Sequence, residues 1–472
     1  MTERLWSMYQ RAIFADVAEG SGHVLVQARS GSGKSSAIEE CVRRVPPKRS
    51  VLVTAFGKDI ATAMSKRLPP SAWVRTLHSF GFYALRNAFG TKHDDDKVDR
   101  IIAELLGPVH RGLALNLGKL VSRAKATLAR NRYELNALID VLGIDLVADE
   151  RYGFVEMAAD ILAACHADTK TCDRDDMIWL PVRHRIRVPT FDFVFVDEQQ
   201  DFNRAQNELA LMAVKRRGRC FAFADPRQAI FAFRGADAHA VEHFVERMQA
   251  RVLPLSITYR CCKAIVRLAQ NVVPDFEAAP DAPEGIDAIV TVDDLRANAQ
   301  PGDFVISRKN APLIGLCLWF LSQGKPASIA GRNIGAGLLA LIDKSKARSV
   351  EGLLAWVETW REREADRLFA AGQDPQDAND SADCIVALCA DSHTVAEVRA
   401  RIAALFSDID DSQRIVCTST HKAKGLERDR AWILATTYSN KSTEEINLWY
   451  VAITRARTEL YRVGRWSGEV VA

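Results

Sequence analysis

Cysteine motifs, a dominant charge and long apolar runs are all missing from this chain, and each gap removes a class of protein. None of the ten cysteines falls in a CxxC pair, so neither a zinc site nor a disulfide framework is expected, and a reducing cytoplasm suits the chain best. The longest apolar run, APLIGLCLWFL at 311–321, falls short of the roughly 20 residues a membrane-spanning helix needs, and reads as a core helix. The opening MTERLWSMYQ lacks the basic-then-apolar pattern of a secretion signal. Sixty-three Lys and Arg against 60 Asp and Glu leave a net charge of +3. Such a surface does not grip nucleic acid indiscriminately, and any nucleic-acid site has to be a local groove. There is no internal repeat of the solenoid kind and no separate acidic cluster of the nuclease type.

What the chain has is length and a set of strands that end in chemistry. Its 472 residues, 48% hydrophobic and 26% charged, suffice for about three or four globular domains. VLVQ at 24–27 reads as a buried strand, followed by a loop with Gly31 and Gly33 and then the helical SSAIEECVRR. Strand, glycine loop and helix in that order make a cradle in which backbone amides and a helix N-terminus receive phosphates. Lys34 is placed to reach the outer phosphates and Ser35 to ligate magnesium; the first glycine of the usual pattern is Ala28. A second strand, FDFVFV at 191–196, runs into Asp197, Glu198, Gln199, Gln200 and Asp201. Ligands of parallel sheets bind at the carboxyl ends of strands, so one of the first two carboxylates can hold magnesium through water while the next orients and deprotonates the attacking water. A third strand, CFAFA at 220–224, delivers Asp225, Pro226, Arg227 and Gln228 to the same edge. Gln228 is suited to sensing a γ-phosphate.

At the far end, Leu448, Val451 or Ala452, and Arg455 share one helical spacing. On that otherwise apolar face Arg455 either reaches outward, meets a buried anion such as a triphosphate, or forms a structural ion pair with an acid. Tyr259 and Arg260 pose the same choice, a ring and a cation side by side.

The ordered set ARSGSGKS, VTAFGKDIA, RTLHSFGF, FVFVDEQQD, ADPRQAIFAFRGAD, LSITYR, CTSTHKAKGLE and YVAITRAR resembles the motifs of superfamily 1 helicases of the UvrD/Rep type, over nearly the whole chain. The resemblance implies an α/β fold of two RecA-like P-loop domains with parallel sheets, each carrying a mainly helical insertion. It implies ATP and Mg2+ as cofactors, bound by Ala28, Arg29, Ser30, Gly31, Ser32, Gly33, Lys34, Ser35 and Ser36, with Gln10 recognising adenine, Tyr259 stacking on it and Glu427 near the ribose. Asp197 is then the magnesium-coordinating acid, Glu198 the general base, and Gln228, Arg260 and Arg455 surround the γ-phosphate. Two positions depart from the family pattern: AFGKDIA lacks the usual threonine and asparagine before the lysine, and Ala224 stands where glycine is usual.

The expected first RecA-like domain comprises 1–84 and 186–256, with a helical insertion at 85–185 that ends in DDMIWLP, similar to the family's acidic-hydrophobic element. The second comprises 257–331 and 413–472, with a short insertion at 332–412 in which SVEGLLAWVETWREREADRLFAA is helical and GQDPQDANDSADC a polar loop. Candidates for the DNA groove are Phe56, Lys58, Thr76, His78, Phe231, Phe233, Arg308, Lys309, Thr420, His421 and Lys422, aromatics for stacking and bases for phosphates. The function so implied is an ATP-dependent helicase that moves 3′ to 5′ on single-stranded DNA and unwinds tailed duplexes. The alternative is an ATP-driven translocase or protein-displacing motor with little unwinding of its own. A cytoplasmic setting is expected, in a bacterium or in the host of a phage, given the compact second insertion.

Overall fold

The computed structural model describes residues 5–468 apart from 56, 108, 110, 232–238, 331, 371–375, 391 and 406–412. The chain divides into two units, Met1–Ile257 and Thr258–Ala472. Each is built on a six-stranded sheet whose neighbouring strands run parallel.

In the first unit the strands are β1 (Val24–Ala28), β2 (Val51–Thr54), β3 (Ala72–Arg75), β4 (Phe191–Val196), β5 (Val214–Ala224) and β6 (Arg251–Leu255), in the order β3-β2-β4-β5-β1-β6. Both faces are covered, which is why the strands read as near-continuous apolar runs. The pleat sends alternate residues to opposite faces. Phe193, Phe195, Phe221 and Phe223 join Ile13, Phe14 and Ile38 on one side, the last three carried by helices α1 (Met8–Glu19) and α2 (Lys34–Arg44). Val194, Val196, Ala222 and Ala224 face the other side.

Helices α3 (Lys58–Arg67), α4 (Leu77–Phe89), α5 (Lys97–Leu106), α6 (Arg111–Thr127), α7 (Arg132–Val141), α8 (Ala148–Ala167) and α9 (Asp176–Arg183) follow. Those from α5 to α9 fall in the stretch read as an insertion, and they share one hydrophobic cluster with the second face of the sheet. Close packing of α4 on α9 explains the glycine of RTLHSFGF: a Cβ on Gly81 would lie 1.8 Å from the Met177 carbonyl oxygen. The segment around DDMIWLP has an electrostatic task. Asp176, fully buried, lies 2.7 Å from Lys97 Nζ and 2.8 Å from Lys125 Nζ, and Lys125 also reaches Asp173 at 2.6 Å. Lys97 Nζ donates to the carbonyl oxygens of Asp168 and Thr171, each at 2.8 Å. One carboxylate thereby ties α5, α6 and α9 together.

In the second unit β7 (Ile286–Val290), β8 (Phe304–Ser307), β9 (Ala327–Ile329), β10 (Ile415–Ser419), β11 (Arg428–Leu434) and β12 (Ala456–Val463) take the order β7-β12-β11-β8-β10-β9. The apolar run at 311–321 forms the helix Ala311–Ser322 and buries Leu313, Ile314, Leu316, Cys317 and Phe320, as a core helix does. The polar loop expected at 372–384 is corrected over 376–384, because Gln376–Cys389 is helical; residues 372–375 lie outside the described residues. Its Ala378, Ala382, Ile385, Leu388 and Cys389 are buried, a stripe at three- and four-residue spacing that outweighs the turn propensity of the Asp and Asn in the segment. All ten cysteines are free and buried.

Candidate nucleotide-binding site

Three neighbouring strands, β4, β5 and β1, carry the chemistry of the first unit. Their carboxyl ends deliver Asp197 and Glu198, Asp225 to Gln228, and the loop 29–33 to one edge of the sheet, the edge at which parallel sheets bind ligands. Gly31 and Gly33 have φ of 71° and 76°, in the left-handed region that strains any side chain. Helix α2 opens at Lys34 with Gly33 as N-cap and no side-chain cap, so its first amides are available to an anion. Ser32 Oγ is buried and has no hydrogen-bond partner among the described residues. A left-handed loop, an uncapped helix start and an orphaned hydroxyl together fit a polyphosphate.

Lys34 Nζ lies 2.5 Å from Glu198 Oε1 and 3.8 Å from Asp197 Oδ1. Burial alone would lower the lysine's pKa, but Glu198 and Asp197 outweigh it and the net shift is upward. Burial holds the Asp197 carboxyl at about 6, with Lys34 opposing and Glu198 adding to the rise. Glu198 itself adopts φ 54°, ψ 41°, a left-handed conformation costing a non-glycine residue on the order of 1 kcal/mol, of the kind that clusters at active sites. Ser35 offers a hydroxyl and Asp197 a carboxylate, hard oxygen donors of the kind magnesium accepts; among the described residues there is no cluster of three or more His, Cys, Asp or Glu that could hold a metal ion.

The third strand end was only partly legible. Asp225, fully buried, takes Gln228 Nε2 on Oδ2 at 2.7 Å and Arg29 Nη1 on Oδ1 at 3.3 Å. Its amide donates to Gln200 Oε1 at 3.1 Å, and Gln200 Nε2 in turn donates to Glu198. In the sequence Gln200 stands out only by its place in the DEQQ run. Gln10 is buried in α1, where its Oε1 accepts from Ser7 N at 2.9 Å in a capping box.

The second unit gathers its own cations. Glu427 is paired with Arg260 Nε and with Arg457 Nη2, the latter at 2.5 Å; burial works against its ionisation, but the two arginines pull its pKa below the usual range. Arg457 escaped the sequence reading, and only its nearness to Arg455 hinted at it. Tyr259 is exposed. For Arg455 the helical face is a correction, because the helix is Thr443–Ile453 and Arg455 lies beyond its C-cap Thr454. The chain turns there and the buried guanidinium folds back, donating to the carbonyl oxygens of Val451 and Leu426 at 2.8 and 3.1 Å and to Thr454 Oγ1 at 3.0 Å. Burial, then the neighbouring Arg260, depress its pKa.

Among the groove candidates, Phe56 and Phe233 lie outside the described residues. Lys58 is exposed at the start of α3 and Phe231 half-buried. Thr76 caps α4, accepting from Ser79 N at 3.2 Å. His78 follows, and burial with the nearby Arg174 lowers its pKa to about 4, so at neutral pH it is an uncharged imidazole and not a phosphate-binding cation. In the second unit Arg308 pairs with Glu445 at 2.8 Å, Lys309 N donates to Ser307 Oγ at 3.0 Å, and Lys422 Nζ donates to the Ala330 carbonyl oxygen at 3.2 Å. Thr420 is wholly buried with its hydroxyl 2.5 Å from Tyr438 Oη. His421 and Lys422 beside it are half-buried, and Gly425 and Leu426 further along the motif are exposed.

Residues 9–249 match the family of the UvrD/REP helicase N-terminal domain, and residues 414–463 match the UvrD-like helicase C-terminal domain. Similar proteins include the ATP-dependent DNA helicase PcrA of Bacillus subtilis, 26% identical over 281 residues that cover 53% of this chain and 37% of that protein. The ATP-dependent DNA helicase UvrD1 of Mycobacterium tuberculosis is 28% identical over 301 residues, 55% of this chain and 38% of the relative. The matches thus span less than two fifths of these relatives' length.

Proposed function

The chain belongs to the UvrD/REP helicase family, and from that premise we propose that it is an ATP-dependent DNA helicase that moves 3′ to 5′ on single-stranded DNA and unwinds tailed duplexes. The observation that supports ATP hydrolysis is the convergence of Lys34, the Asp197–Glu198 pair and the Asp225–Gln228 turn at one edge of three adjacent parallel strands; the direction of movement rests on the motif resemblance alone. We propose a RecA-like organisation in which 1–84 with 186–256 and 257–331 with 413–472 form the two motor domains and 85–185 and 332–412 their insertions.

In this mechanism the amides of the loop 29–33 and of the α2 N-terminus bind the phosphates of ATP, and Lys34 exchanges its carboxylate partners for the outer phosphate oxygens. Ser35 and Asp197 would hold a magnesium ion, which would supply Lewis-acid stabilisation of phosphoryl oxygen charge. Glu198, freed of Lys34, orients a water molecule and accepts its proton. Gln228 reports on the γ-phosphate through its amide. Gln10 and Tyr259 are assigned to adenine and Glu427 to the ribose, while Arg260 and Arg455 stabilise transferring charge. For DNA the assignment rests on Lys58, Thr76, His78, Phe231, Arg308, Thr420 and His421 in the described residues, with Phe56 and Phe233 as proposed stacking rings.

Arg455→Ala is expected to lower turnover by about a hundredfold, roughly 2.7 kcal/mol of barrier, while a fluorescent ATP analogue still binds. Parental turnover in that variant would make Arg455 a purely structural tie between the carbonyls of Val451 and Leu426. Direction is tested with two partial duplexes, one with a 3′ tail and one with a 5′ tail, under ATP and magnesium. Unwinding from the 3′ tail alone is expected. Unwinding only from the 5′ tail overturns the direction, and DNA-stimulated hydrolysis with neither duplex opened favours a translocase.

A further inference from the structure

We propose that the amino-terminal edge of the first sheet is a second DNA contact, a basic patch that takes the phosphate backbone of double-stranded DNA; the choice of DNA rests on the helicase reading above. Strands β2, β4 and β5 are neighbours. Lys48 and Arg49 precede β2, and Lys215, Arg216 and Arg217 follow the first residue of β5. All five are exposed. This edge is opposite to the nucleotide site, since Asp192 and Asp197 stand near the two ends of β4, about 17 Å apart along an extended chain.

A bulge presents the arginines. Phe191 pairs with Val214 and Phe193 with Arg219, so three extra residues of β5 leave the pairing, and such a bulge re-aims the side chains it carries. Gly218 closes it: a Cβ there would lie 2.8 Å from the Phe191 carbonyl oxygen and 3.0 Å from that of Asp192. Arg219, next in line, is buried and donates to the carbonyl oxygens of Gly22 and Asp16 at 2.8 and 2.6 Å. Asp192 draws Arg49 and Lys215 together, at 3.3 and 2.8 Å. Lys48, Arg216 and Arg217 have no anionic partner among the described residues.

Duplex DNA is the occupant that this chemistry fits. No aromatic residue stands at 46–50 or 214–218, so the patch has no ring on which the unstacked bases of a single strand could rest. A duplex keeps its bases inside and offers one phosphate charge per about 1.7 Å of axis. Three cations without a counter-charge, in a chain whose net charge is only +3, are its local complement.

The test is fluorescence anisotropy of the whole chain with a blunt-ended DNA duplex over a series of salt concentrations, for the parent, Arg216→Gln with Arg217→Gln, and Arg216→Lys with Arg217→Lys. The glutamine pair is expected to weaken duplex binding about tenfold and to lower the salt slope by about 2, roughly one released counterion per lost contact. The lysine pair is expected to keep both. Affinity for a single-stranded oligonucleotide, and the hydrolysis it stimulates, stay at the parental level in both variants. Parental duplex affinity and slope in the glutamine pair overturn the proposal. So does an equal loss for the single strand, which would make the patch part of one general groove, or a loss in the lysine pair, which would make the arginines supports of the bulge. Hydrolysis by the parent that single-stranded DNA fails to stimulate sinks the helicase reading, while the duplex measurement still decides the patch.

Discussion

Lys34→Ala is expected to cut ATP hydrolysis by about a thousandfold, on the order of 4 kcal/mol of barrier, and to leave single-stranded DNA binding near its parental level. The ammonium is the cation nearest both carboxylates of the β4 edge, 2.5 Å from Glu198 and 3.8 Å from Asp197. Without it the phosphates lose their charge partner, and Asp197 loses the group that offsets the effect of burial on its carboxyl. Hydrolysis and DNA binding are to be measured in one buffer. Retained hydrolysis would move the phosphate site elsewhere; lost DNA binding would mean that the substitution disturbs more than nucleotide chemistry.

Asp176→Ala is expected to cost about 3–5 kcal/mol of stability, the range for breaking a buried ion pair from one side. Two ammonium groups share this carboxylate, at 2.7 and 2.8 Å, and both are buried. Lys125 keeps Asp173 and Lys97 keeps the carbonyls of Asp168 and Thr171, so the helices lose their common anchor and not every partner. Urea unfolding of the variant beside the parent measures the cost. A loss below about 1 kcal/mol, as an exposed pair gives, would show that the cluster is solvated in solution.

What could be read from the sequence follows from what is local. FDFVFV and CFAFA announce strands because alternate residues feed two covered faces, and the acids that follow are placed by strand direction alone. Helix α5 coincides with KVDRIIAELL for the same kind of reason, a strong three- and four-residue spacing. The stop at Ile453 was not visible, since ITRAR continues an apolar helical pattern until the chain turns to enter β12. Partnerships over long separations were hidden as well. Arg29 with Asp225, Lys97 with Asp176, and Arg457 with Glu427 each join residues about 30 to 200 positions apart, and no periodicity encodes them. Nor does composition separate Thr420 from His421: only packing shows that the first hydroxyl is spent on Tyr438.

The strand order of the first sheet also sets a timetable for synthesis. β1 precedes the other five strands of its sheet in the chain, yet its two neighbours are Val214–Ala224 and Arg251–Leu255. For most of the first unit's translation the segment that will carry the phosphate loop therefore has no edge to join, while β2 and β3 can already pair with each other. Pairings of such long sequence separation form slowly and leave apolar edges open to other chains. The edge that gathers Lys34, Asp197 and Asp225 is consequently among the last parts of this unit able to form, and a nascent chain arrested before residue 214 would expose Val24, Leu25 and Val26 to whatever chaperone or aggregate meets it first.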